Sequence, residues 1–112
     1  KTMARTEITY QQIVRTGLEA VYTAAVADGA KFANDGRMFV DVVNGSGSPI
    51  NVTVQTPVTV DGLAVADQVV AVTAGESRKI GPFPPGYYNQ TDGMVYVDYS
   101  AVTDVTVALM RL

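Results

Sequence analysis

Two runs of alternating apolar and polar residues, Met38–Val43 and Ile50–Gln55, flank a short cluster of Asn44, Gly45, Ser46, Gly47, Ser48 and Pro49. Alternation with period two sends successive side chains to opposite faces of a strand. A Gly/Ser/Asn cluster between two such runs is the pattern of an antiparallel pair joined by a loop. In the second run Ile50, Val52 and Val54 share one face, and Asn51, Thr53 and Gln55 share the other. Such a strand belongs to a sheet with one face on a core and one in water.

The remaining chain repeats this pattern. Gln68–Thr73, Arg78–Phe83, Met94–Tyr99 and Val105–Leu112 read as strands, and Val58–Val60 as a brief one after the break at Pro57. Leu18–Ala27 reads as a strand ended by Asp28-Gly29, Asp61-Gly62 as a turn, and Leu63–Asp67 as a connection. The sequence therefore predicts an all-β fold, a single antiparallel β-sandwich or jelly roll of about 7–8 strands over residues 17–112. Its core consists of Val40, Val42, Ile50, Val52, Val54, Val70, Val72, Val95, Val97, Val105 and Val107.

Residues 1–16 differ. Thr9–Arg15 is the best helix candidate, with Thr9 as N-cap, Gln12 completing a capping box and Gly17 as the stop. One to two turns of helix are marginal alone. The segment is either a short helix packed under the sandwich or an N-terminal arm that orders on a neighbouring subunit while the sandwich stays a separate folded unit.

The chain has no cysteine and no histidine, which removes thiolate chemistry, the usual general base and the commonest metal ligand. Its formal net charge is −3. The eight Lys and Arg are scattered, with Arg78-Lys79 as their one adjacent pair, which argues against nucleic acid as a partner. No apolar run approaches the roughly 20 residues of a membrane-spanning helix. Five of the eleven carboxylates sit at turns, namely Asp28, Asp35, Asp61, Glu76 and Asp92. Asp41 and Asp98 lie mid-strand, where they mark solvent faces unless they pair as the carboxylates of a glycosidase. The loop Asn89–Gly93 has too few carboxylates for a defined calcium site. The reading assigns no catalytic residue, no metal and no cofactor, and it predicts no enzyme. With 47% hydrophobic and 17% charged residues, the domain is expected to cover part of its surface with a partner.

The most unusual stretch is Gly81–Tyr88, where Pro82, Pro84 and Pro85 stiffen a bend carrying Phe83, Tyr87 and Tyr88. Either these aromatics plug one end of the sandwich, or they form a rigid contact surface of the kind found in interface cores. A sugar-stacking platform is a further reading, although such platforms usually employ Trp. With Tyr10 and Ile13 of the N-terminal segment, Pro82, Phe83, Pro84, Pro85, Tyr87 and Tyr88 are the candidate interface residues.

Several runs resemble small structural proteins of tailed-bacteriophage virions, of the capsid decoration (cement) type. They are Phe32–Arg37, Val60–Asp67, Ala74–Glu76, Ile80–Pro84 and the ending Val95–Leu112. The resemblance covers residues 18–112 and its motifs are structural. It implies a β-rich domain on the outer surface of a capsid, bound to the major capsid protein and often trimeric at local threefold positions. It transfers no functional residues. The alternatives are a head–tail connector or tail component, and a carbohydrate- or receptor-binding β-sandwich module carried by Tyr87, Tyr88 and the loops.

Overall fold

The computed structural model describes residues 5–112. Its strands in chain order are β1 (Thr6–Glu7), β2 (Gln11–Gln12), β3 (Thr23–Ala24), β4 (Ala30–Ala33), β5 (Met38–Asn44), β6 (Ile50–Val54), β7 (Thr59–Val60), β8 (Leu63–Ala64), β9 (Gln68–Val72), β10 (Ser77–Ile80), β11 (Met94–Tyr99) and β12 (Val105–Arg111). Seven of these have four or more residues and build the body of the fold. One sheet runs β1-β4-β11-β6-β9 and the other β10-β5-β12-β2, with β3 also on β12; β7 and β8 pair only with each other. The result is an all-β sandwich, not a closed barrel.

The body is antiparallel, as predicted. The two parallel pairings, β1 on β4 and β2 on β12, are two residues long and belong to the N-terminal segment. All the predicted core valines and Ile50 are buried except Val70, which is half-buried. Phe32, Met38, Ile80, Phe83 and Leu109 join them.

The pairing of β5 with β6 departs from the expectation. They are not hydrogen-bonded neighbours: β5 lies in one sheet between β10 and β12, and β6 in the other between β11 and β9. The loop between them is an arch that carries the chain across the core. The apolar rows Val40/Val42 and Ile50/Val52/Val54 thus meet face to face. The turns after β9 and β11 cross between the sheets in the same way.

These three arches are stitched together at Asn44. Its backbone N–H donates to Glu76 O (2.9 Å) and its carbonyl accepts from Gly75 N–H (2.8 Å), while Gly45 N–H donates to Asp104 O (2.8 Å). Its side chain, wholly buried, donates to Ser48 O (2.8 Å) and to Val72 O in the opposite sheet (3.1 Å). The amide oxygen accepts from the Ser46 N–H and hydroxyl.

Other predicted elements change at their ends. Thr9–Arg15 contains no helix: Gln11 and Gln12 are extended and paired to β12. A strand edge with free backbone groups outcompetes a short isolated helix, which is costly to nucleate. Residues 1–4 of the predicted arm lie outside the described residues. Of Leu18–Ala27 only Thr23–Ala24 is strand. The strand predicted to reach Phe83 stops at Ile80, and Pro85–Tyr88 forms a single helical turn. Leu63–Ala64, predicted as connection, returns on Thr59–Val60 as a hairpin. Between the Val54–Gln68 and Thr59–Ala64 pairs, the first strand has one extra residue. This bulge falls at Thr56-Pro57, where Pro cannot donate to the ladder. Thr56 and Asp67 close it, with Thr56 N–H donating to Asp67 Oδ1 at 3.0 Å. Beyond it β7 and β8 continue the β6–β9 ribbon as an exposed arm.

Candidate functional site

Residues 5–26 form a strap along one flank of the sandwich, touching both sheets in turn. It begins at Arg5, whose guanidinium donates to Val97 O (3.1 Å), pairs with Asp98 Oδ1 (2.7 Å) and lies 4.7 Å from the centre of the Tyr96 ring. Gly29 makes room for it. A Cβ there would lie 2.5 Å from Arg5 Nη1 and 2.7 Å from Val97 O, at a φ of +86° that a side chain resists. The strap then crosses to the second sheet, where Ile13 N–H donates to Arg111 O (3.0 Å). The Gln11 side chain imitates a strand partner, exchanging two 2.8 Å hydrogen bonds with the backbone N–H and C=O of Val21. It thereby closes the excursion between β2 and β3. The strap thus pairs with both sheets, β1 on β4 and β2 and β3 on β12.

Under the strap, between the sheets, is a cavity of about 420 Å³ lined by Ile8, Val21, Ala25, Val26, Tyr99 and Leu109 among others. The buried Tyr99 hydroxyl has no hydrogen-bond partner among the described residues, and burial pushes its pKa up to about 12.

The predicted interface residues fall into two groups. Tyr10 and Ile13 are exposed on the strap, with Arg111 stacked 5.7 Å from the Tyr10 ring centre. Pro82 lines a groove of about 400 Å³ with Arg37, Phe39, Lys79 and Leu112. Arg111 and Leu112 link the two groups, because Leu112 N–H donates to Arg37 O while Arg111 O accepts from Ile13. Two segments some seventy residues apart therefore meet at one end of the β12 sheet. Phe83 does not belong to this surface. It is 2% exposed and packs against Phe32 (5.8 Å between ring centres) and edge-on against Tyr88 (5.4 Å). The bend thus works as a plug. Asn34 pins it, donating to Phe83 O and to Asn89 Oδ1, both at 2.8 Å. Pro84 and Pro85 are exposed, Tyr87 is the one fully outward ring of the bend, and Tyr88 is half-buried.

Sequence reasoning missed Val14, Val21, Tyr22, Val26 and Leu112 near the strap, and Val60, Leu63 and Val69 on the arm and β9, all exposed. The Asp61-Gly62 dipeptide between Val60 and Leu63 is the signal that identifies the arm as a hairpin.

The mid-strand carboxylates are far from a catalytic pair. Asp41 lies on the outer face of the β5 sheet and Asp98 on the outer face of the β11 sheet, pointing away from each other. Asp41 is also not solvent-facing as predicted: it is 3% exposed under Tyr22, whose hydroxyl donates to Oδ2 (2.6 Å), with Lys79 Nζ 3.4 Å away. That hydrogen bond raises the Tyr22 pKa. Among the described residues no three His, Cys, Asp or Glu gather as a metal site.

Burial disfavours the charged form of Asp98, but hydrogen bonds from Arg5 and Gln55 and the Arg5 charge outweigh it, so its pKa is lowered. The Asp35 pKa is lowered by Arg111 and the Arg37 N–H, and that of Asp92 by Tyr96 and the Met94 N–H. The folded protein therefore keeps these carboxyls ionised to lower pH than the unfolded chain does. Their stabilisation is present above the ordinary carboxylate pKa, about 4, and is lost as pH falls through the lower folded values. The urea midpoint is expected to drop between about pH 5 and pH 3, and Arg5→Ala to reduce that drop. A midpoint constant over this range contradicts the assignment.

No family model matches the chain, and neither a curated protein nor a solved structure matches it significantly.

Proposed function

We propose that this chain is a non-enzymatic structural protein that docks on a larger assembly, the outer surface of a tailed-phage head, as a capsid decoration protein. The observation that carries the docking role is the distribution of exposed apolar side chains. Six of the eleven large hydrophobic residues left exposed among the described residues, Tyr10, Ile13, Val14, Val21, Tyr22 and Val26, lie in one seventeen-residue stretch of the strap. Arg15 and Glu19 are the only charges in that stretch. Leu112 and the Pro82 groove continue the surface at one end. Exposed apolar side chains concentrated in one segment mark an interaction site. The phage head as the assembly, and the major capsid protein as the partner, rest on the sequence resemblance. A trimer, which the resemblance also implies, would multiply such contacts by avidity.

The test is co-sedimentation of the full chain with heads assembled from the proposed partner, the tailed-phage major capsid protein. The wild-type chain is expected to pellet with heads. Tyr10→Ser combined with Val14→Ser is expected to weaken binding at least tenfold, about 1.4 kcal/mol, with little change in melting temperature because both side chains are exposed. A wild-type chain that stays in the supernatant at saturating concentration overturns the reading. So does a double variant that binds undiminished, as far as the strap is concerned.

A further inference from the structure

A sheet edge is a row of unpaired N–H and C=O groups, and proteins blunt such edges by keeping them short, charging them, or placing proline on them. Three of the four edges of the two large sheets follow that rule. β1 and β2 are two residues long, and β10 carries Arg78 and Lys79. The fourth edge, β9, does not. It reads Gln68-Val69-Val70-Ala71-Val72, five residues with no charge and no proline, and no strand pairs with its outer side among the described residues.

The ladder shows which groups are free. Ser100 N–H donates to Asn51 O and Gln55 N–H to Tyr96 O, so the odd-numbered residues of β6 bond towards β11. In an antiparallel ladder bonded pairs alternate, so the even-numbered residues of β6 bond towards β9. Their partners are Gln68, Val70 and Val72. The N–H and C=O groups of Val69 and Ala71 therefore point outward. Both side chains are exposed on the outer face of the sheet.

We infer that β9 pairs antiparallel with β9 of a second copy of this chain, about a two-fold axis through Val70. The edge is complementary to itself in this register. Val69 faces Ala71 of the second copy and Ala71 faces Val69 of the second copy, so all four outward groups on each side find partners. The opposed side chains are apolar. Asp67, the one acidic residue adjoining β9, then stands opposite Thr73 of the second copy, and no like charges meet. The neighbouring arm, with Val60 and with Leu63 at 72% exposure, continues from the same ribbon and lends further apolar surface. The contact is isologous and closes on a dimer; a trimer would need a second, heterologous contact. The inference does not depend on the docking role proposed for the strap.

Sedimentation equilibrium of the full chain over a range of concentrations tests it. The mass is expected to rise from 11.9 kDa towards twice that value. Ala71→Pro removes an outward N–H without touching the β6 ladder, and Val69→Lys sets two like charges near each other across the axis. Each variant is expected to weaken self-association at least tenfold while keeping the wild-type circular dichroism spectrum. If Ala71→Pro does not fold, Val69→Lys decides. In the wild type the amides of Val69 and Ala71 should be protected from hydrogen exchange at high concentration and exchange freely at low concentration. A chain that stays monomeric at millimolar concentration, or an oligomer insensitive to Val69→Lys, overturns the proposal. Unchanged head binding by a monomeric Val69→Lys variant would leave the docking role standing on its own.

Discussion

Asn44→Ala is expected to cost about 2–4 kcal/mol, since each buried polar group left without a partner costs roughly 1–3 kcal/mol. The amide donates to Ser48 O and Val72 O and accepts from Ser46. With alanine there, the first arch loses its internal brace and the link to the opposite sheet is cut. Backbone hydrogen bonds to Glu76, Gly75 and Asp104 survive in principle, but they depend on the arch keeping its shape. The loss is a large fraction of a typical stability of about 5–15 kcal/mol. Urea denaturation followed by circular dichroism measures it. A change below about 1 kcal/mol would mean that the backbone alone holds the arches together.

Phe83→Ala is expected to cost more, about 3–5 kcal/mol, the range for emptying an aromatic site in a core. The ring fills the end of the sandwich between Phe32 and Tyr88, and its loss removes both aromatic contacts as well as the buried area. Nothing flexible lies beside the site to refill it, because three prolines and the Asn34 hydrogen bonds fix the bend. The same substitution separates the two roles considered for this stretch. A plug shows its loss in the unfolding free energy, whereas a contact surface shows it in partner binding with stability nearly intact. A cost below about 1 kcal/mol would return Phe83 to the interface.

Period-two alternation identified the long strands and their buried faces, because that signal depends only on the pleat. It could not tell a hairpin from an arch. Val40/Val42 and Ile50/Val52/Val54 must be buried on one side in either case, and the intervening Gly/Ser loop serves both. Asn44 carries the distinction, and an Asn before a glycine-rich loop reads equally well as ordinary turn chemistry. The strap was illegible for a different reason. Gln11-Gln12 have no strand pattern of their own and are extended because β12 offers them an edge, whereas Thr23-Ala24 is the only part of the predicted strand Leu18–Ala27 that pairs. Asp41 misled in the opposite direction: a mid-strand carboxylate reads as solvent-facing until Tyr22, nineteen residues away, is seen lying over it. Of the candidate interface, Tyr10 and Ile13 were legible as apolar side chains with no pattern to bury them. Leu112 was not, since it reads only as the end of the strand Val105–Leu112.

The strap also has a consequence for the order in which the chain assembles. Its anchors join residues 92 and 99 positions apart, Arg5 to Val97 and Gln12 to Arg111. Closing loops of that length is costly before the far strands are in place, so the strap is expected to be the last part of the fold to form. It is seated by two-residue ladders over a cavity, with Ile8 and Ala25 as its contacts to the core. Partial opening, in which the strap lifts while the arches stay shut, is an excursion this topology allows. In that state the outer edges of β4 and β12 lie bare, so a strap from a neighbouring molecule could settle where the original had been, exchanging one belt for another without unfolding either body.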